Sequence, residues 1–135
     1  MPGPAPKMDP ARRNARVGPV VLPADGRRGD PPPWPLDGQT SAEVLAWGQL
    51  WATPQAVAWE RLGWTRTVAR YCRCMVAAEA ADAQPGLLGQ VTAMEDRLGL
   101  TPKAMRMLLW EIAADEVGEQ RNRQASTARR RIKAV

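Results

Sequence analysis

The side chains able to do chemistry in this 135-residue chain are guanidinium groups, carboxylates, indoles and two thiols, because histidine is absent. That absence excludes imidazole acid–base catalysis, Ser-His-Asp triads and His-based metal sites. Cys72 and Cys74 are the only cysteines; two positions apart on a helix they point about 200° away from each other, which suits neither a joint metal site nor a disulfide. The pairs Glu95-Asp96 and Asp115-Glu116 are neighbours in sequence and read as solvated acidic faces. With no GxxxxGK[ST] or GxGxxG element, no loop is present to cradle a nucleotide phosphate. The sequence therefore predicts no enzyme activity, no cofactor and no metal.

What remains is recognition chemistry. The segment 119–135 (EQRNRQASTARRRIKAV) carries Arg121, Arg123, Arg129, Arg130, Arg131 and Lys133 against one acidic residue. No aromatic side chain is interleaved to stack on bases, so the set suits the phosphates of double-stranded DNA better than single strands. Lys103 and Arg106, with Thr101 and Met107 beside them, form a second set on a short amphipathic segment. Arg12, Arg13 and Arg16 form a third.

Charge is distributed to match. Residues 1–33 hold six basic and three acidic side chains, residues 34–118 seven and ten, and residues 119–135 six and one, giving +3, −3 and +5. An acidic body with two basic arms points to a polyanionic partner. Part of the bias is compositional, since Arg outnumbers Lys sixteen to three and Phe is absent, as in proteins from GC-rich genomes. No segment approaches the roughly 20 apolar residues of a membrane span, and the N-terminus has no apolar signal core. The expectation is a soluble protein with reduced thiols, acting in the cytoplasm without membrane contact.

The elements that must position these groups are helical. Ten of the thirteen prolines fall in residues 1–35, so residues 1–40 are expected to be a disordered Pro/Arg-rich arm. Residues 41–118 should fold, and residues 119–135 should form a flexible basic tail. Val44, Trp47 and Trp51 share one helix face after Ser41. Thr53-Pro54 restarts the chain as a cap followed by a first-turn proline, and Gly63 stops the run. Val68, Tyr71, Cys72, Met75 and Val76 mark a central helix over 66–80. Leu87, Leu88, Val91, Met94 and Leu98 mark the next, ended by Gly99. Thr101-Pro102 opens a last stripe through Met105, Leu108, Leu109 and Ile112. The fold class is all-α, a short bundle of four to five helices between disordered basic arms.

Residues 91–110 carry the apolar spacing of a helix-turn-helix, with Gly99 at the turn and the second helix offering Lys103 and Arg106 to a major groove. Glu95 stands where a small residue is usual one turn before the glycine. An ordinary antiparallel helix pair is the other reading of the same segment. Tryptophan is the second anomaly, with five of six indoles between Trp34 and Trp64. Because a small body buries little surface, Trp47, Trp51 and Trp59 are expected at a homo-oligomer interface, the alternative being that Trp replaces Phe in the core.

Several segments resemble the small terminase subunits of tailed bacteriophages, particularly those of actinobacterial hosts. These are GPAPK at 3–7, Arg12-Arg13-Asn14, LPADGRRGDPPPWPL at 22–36, LWATPQAVAWERLGW at 50–64 and MEDRLGLTPKAMRMLLWEI at 94–112, so that the resemblance is spread along most of the chain. The resemblance implies a non-catalytic, ring-forming oligomer that recognises viral DNA and delivers it to the large terminase subunit for genome packaging. The ATPase and nuclease would belong to that partner. A helix-turn-helix transcriptional regulator and a structural phage assembly protein are the alternative readings.

Overall fold

The computed structural model describes Gly3, residues 18–114 and residues 116–134, the side chains at 116–120 and 122 excepted. The chain order is β1 (Val20–Leu22), α1 (Ser41–Trp51), α2 (Gln55–Leu62), α3 (Thr65–Ala78), α4 (Leu87–Leu98), α5 (Pro102–Leu108), β2 (Trp110–Ile112) and α6 (Glu116–Lys133). The fold is mostly helical, as the apolar spacing predicts, with one short parallel strand pair that it does not.

Local chemistry sets most boundaries. Thr40 caps α1. Its hydroxyl accepts from the Glu43 amide at 3.2 Å, the usual N-cap bond, and donates to the Glu43 carboxylate at 3.1 Å. The inward stripe of α1 is Glu43, Ala46, Trp47, Leu50 and Trp51, whereas Val44 is exposed. Thr53 does not cap α2, because its hydroxyl donates backward to the Leu50 carbonyl at 2.7 Å. Gly63 ends α2 in the left-handed conformation. α3 buries Val68, Ala69, Tyr71 and Cys72 and packs between α1 and α4. In α4 the inward positions are Val91 and Leu98, and Leu88 is exposed.

The expected last helical stripe breaks at Leu109, which adopts a positive φ of 58°. The chain then runs extended as β2, with Val20, Val21 and Leu22 opposite Trp110, Glu111 and Ile112. Bonds from Val20 N to Leu109 O (2.8 Å) and Ala113 N to Leu22 O (2.7 Å) close the pair. The gain is the burial of Trp110, which lies 6.2 Å from Trp64 between ring centres and against Gly99. Ile112 and Leu109, expected inside, are exposed.

Residues 18–40 also depart from expectation, since a few of their side chains anchor the segment on the core where a disordered arm is expected. Leu22 is fully buried, and Trp34 and Leu36 pack on the main cluster. Two arginines clamp the segment. Arg27 lies over the Trp51 ring at 5.5 Å and pairs with Glu60 at 2.8 Å. Arg73 lies over Trp34 at 5.4 Å, donates from Nε to Glu43 at 3.0 Å, and donates from Nη2 to the carbonyls of Asp37 and Gly38. Gly26, at φ 81°, passes so close to the Ala52 carbonyl that a Cβ would collide with it. Proline lowers the entropy lost on ordering this segment, and cation–π and indole contacts stand in for apolar periodicity.

The three tryptophans expected at an oligomer interface are core residues instead. Trp47, Trp51 and Trp59 are 4%, 1% and 0% exposed. Trp34, Trp47, Trp51 and Trp59 form an edge-to-face series with ring centres 5.0, 5.4 and 5.8 Å apart. Edge-on packing lets indoles fill the space that Phe fills elsewhere.

Candidate nucleic-acid interface

Three successive helices, α3, α4 and α5, frame the segment that carries Lys103 and Arg106. Gly99 closes α4 at φ 75°, and a Cβ there would strike the Trp110 ring. The Leu100 amide donates back to Glu95 O at 3.0 Å. Thr101 is extended and caps α5, its hydroxyl accepting from the Ala104 amide at 3.1 Å and donating to Asp96 at 2.7 Å. Pro102 fills the first turn without losing a needed donor. The turn is thus three residues long and bonded at both ends.

α2 pins this turn from the core side. The Trp59 indole N–H donates to Leu98 O at 2.9 Å, and the Gln55 amide donates to Gly99 O at 3.2 Å. These carbonyls are among the last of α4, which have no helical donor of their own. Neither role of Trp59 and Gln55 is visible in a periodicity reading, because both depend on contacts about forty residues away in sequence.

Glu95 fits its crowded place because its carboxylate accepts the Tyr71 hydroxyl at 3.2 Å. A long acidic side chain there turns toward α3 and becomes an inter-helix bond. Burial first, then the Glu95 charge and the Tyr71–Glu95 hydrogen bond, raise the Tyr71 phenol far above its ordinary range. Burial likewise pushes the Cys72 thiol up to about 11, so neither group is a nucleophile at neutral pH.

On the outer side, α5 buries Ala104, half-buries Met105 and Leu108, and exposes Lys103, Arg106 and Met107. Lys103 and Arg106 form no ion pair among the described residues. Arg106 and Glu111 border an open groove between α5 and β2 that also includes Met105, Trp110 and Ile112.

The cations of residues 119–135 lie on α6, which is helical where a flexible tail was expected. Its described side chains are all exposed. At the helical repeat, Arg123, Arg129, Arg130 and Lys133 fall within an arc of about 120°, while Arg121 and Arg131 lie to either side. Arg130, Arg131 and Lys133 in its last turn complement the helix dipole. Arg12, Arg13 and Arg16 lie outside the described residues. Among those residues, no three Cys, Asp or Glu side chains converge as a metal site, and no helix is long and apolar enough to cross a membrane.

Comparison with known protein families, with characterised proteins and with solved structures finds no match to this chain.

Proposed function

We propose that this chain is a non-catalytic, double-stranded-DNA-binding protein of the small terminase subunit type, a homo-oligomer that recognises viral DNA and passes it to the large terminase subunit in the host cytoplasm. The observation that carries the DNA-binding part is the construction of α5. A capped seven-residue helix, held by a turn that Trp59 and Gln55 secure, exposes Lys103 and Arg106, which form no ion pair among the described residues. Cations so placed are preorganised for phosphates or base edges, which lowers the cost of binding. α6 adds six more, suited to sequence-independent contact with the backbone.

The oligomeric and packaging parts rest on the resemblance of the segments named above. Self-association would use apolar side chains left exposed, such as Val21, Met107, Leu109 and Ile112, rather than the buried indoles.

The test of DNA binding is the double substitution Lys103→Gln, Arg106→Gln, titrated against a genomic duplex by fluorescence anisotropy. A loss of affinity of about tenfold or more is expected with folding unchanged, since each good bidentate base contact contributes about 1–3 kcal/mol. Equal affinity of the variant and the native chain would remove α5 from the interface. Light scattering of the full chain tests assembly, for which a species larger than a dimer is expected and a monomer at micromolar concentration would contradict it.

A further inference from the structure

A small cleft between α3 and α4, of about 180 Å³, is lined by Thr67, Arg70, Tyr71, Met94, Arg97 and Leu98. Its floor is formed by buried side chains, Tyr71 and Leu98 being 4% and 2% exposed. Its rim is cationic and solvated, with Arg70 on one helix and Arg97 on the other, both exposed. Arg70 reaches the Thr67 hydroxyl at 3.5 Å, and neither arginine forms an ion pair among the described residues. Of the acidic side chains of α4, Asp96 accepts from Thr101, and Glu95, which does not line the cleft, accepts from the hydroxyl of Tyr71, which does. Arg66, one turn before Arg70, continues the cationic edge on the exposed side of α3.

Two guanidinium forks on opposite walls of an apolar-floored cleft match a tetrahedral oxyanion, which accepts paired N–H bonds in a way that an ammonium cannot reproduce. The volume lies below the roughly 300–1,000 Å³ of pockets that enclose larger organic ligands. We propose that this cleft is a phosphate site in which Arg70 and Arg97 clasp the oxyanion, with the Thr67 hydroxyl as a further donor. The identification of that phosphate as part of a duplex backbone rests on the DNA-binding reading of α5; the oxyanion chemistry of the cleft does not. The cleft would give the protein a phosphate contact on the helices that support α5, fixing its orientation independently of sequence.

The experiment compares the full native chain with Arg70→Gln, Arg97→Gln, after circular dichroism establishes equal folding. One arm measures thermal stabilisation by inorganic phosphate against chloride at matched ionic strength. The other measures the salt dependence of binding to a short duplex. Phosphate is expected to raise the melting temperature of the native chain and not of the variant. The slope of log affinity against log salt is expected to fall by about 1 in the variant, at about 0.9 for the one phosphate clasped. A changed slope without phosphate stabilisation assigns the site to duplex phosphodiester, and stabilisation without a changed slope assigns it to free phosphate. Loss of duplex binding by the native chain would defeat the proposed function, while the phosphate arm would still decide the cleft. Identical behaviour of variant and native chain in both arms overturns the proposal. If the double variant unfolds, Arg97→Gln alone carries the same readouts with a slope change of at most about 1.

Discussion

Two buried indoles of the same series carry different burdens. Trp59 donates to Leu98 O, whereas the Trp51 N–H is buried with no acceptor among the described residues. Trp59→Phe leaves a buried carbonyl unpaired at the end of α4, and Trp51→Phe removes a donor that was already unsatisfied. Trp59→Phe is therefore expected to destabilise by about 1–3 kcal/mol more than Trp51→Phe in denaturant unfolding; equal losses would mean that the Leu98 bond contributes nothing net. Tyr71 and Cys72 make a second test at this scale. Both have folded values raised above the ordinary 10.0 and 9.0, so the folded state holds their protons when the unfolded state releases them. Their contribution to stability is complete below pH 9 and is lost as pH rises through about 11 for Cys72 and higher for Tyr71. A melting-temperature profile from pH 8 upward should fall above pH 9, and more shallowly above pH 10 in Tyr71→Phe. Superimposable alkaline limbs would contradict the assignment.

Among the elements, those with local causes were legible in the sequence and those made by distant contacts were not. Gly63, Gly99 and Thr101 terminate or cap helices through bonds within a few residues, so their positions follow from residue type. Thr40, with Glu43 three residues on, likewise carries a helix-start signature, and its hydroxyl caps α1. The strand pair could not be read, because three residues at each end of the body provide no periodicity and pair only once Trp110 is buried. Residues 18–40 misled for the opposite reason. Their proline content signals disorder, yet Arg27 and Arg73 hold them through Trp51, Trp34, Glu43 and main-chain carbonyls. Arg73→Ala tests this clamp directly, since it strands the buried Glu43 carboxylate and frees the segment at Asp37 and Gly38. The expected cost is about 2–4 kcal/mol, less than for a fully enclosed pair because Arg73 is 40% exposed. Limited proteolysis should then cut within residues 23–40, and a variant as stable and as protected as the native chain would show that the clamp is incidental. Of the candidate interface, Lys103, Arg106 and the α6 cations were visible from charge alone. Arg70 and Arg97 were not, because they meet only when α3 packs on α4.

At the scale of the whole molecule, a compact indole-rich body holds α5 rigidly while α6 exposes its described side chains to solvent. A helix that buries no described side chain draws little stability from packing, so its removal should leave the body folded. The body would then keep α5 and lose most of the nonspecific attraction. Deleting residues 119–135 removes six basic side chains and one acidic one. With about half of the cations engaged at once, the salt slope should fall by about 2–5 per bound chain. The most direct measurement is a duplex titration of the full chain and of residues 1–118 between roughly 50 and 200 mM salt, at matched association state. Duplex binding by both chains, with log affinity falling linearly in log salt and less steeply for the shortened one, is the predicted result. No duplex binding by the full chain, or equal affinity and slope for the two, would contradict a DNA-binding role built on α5 and α6.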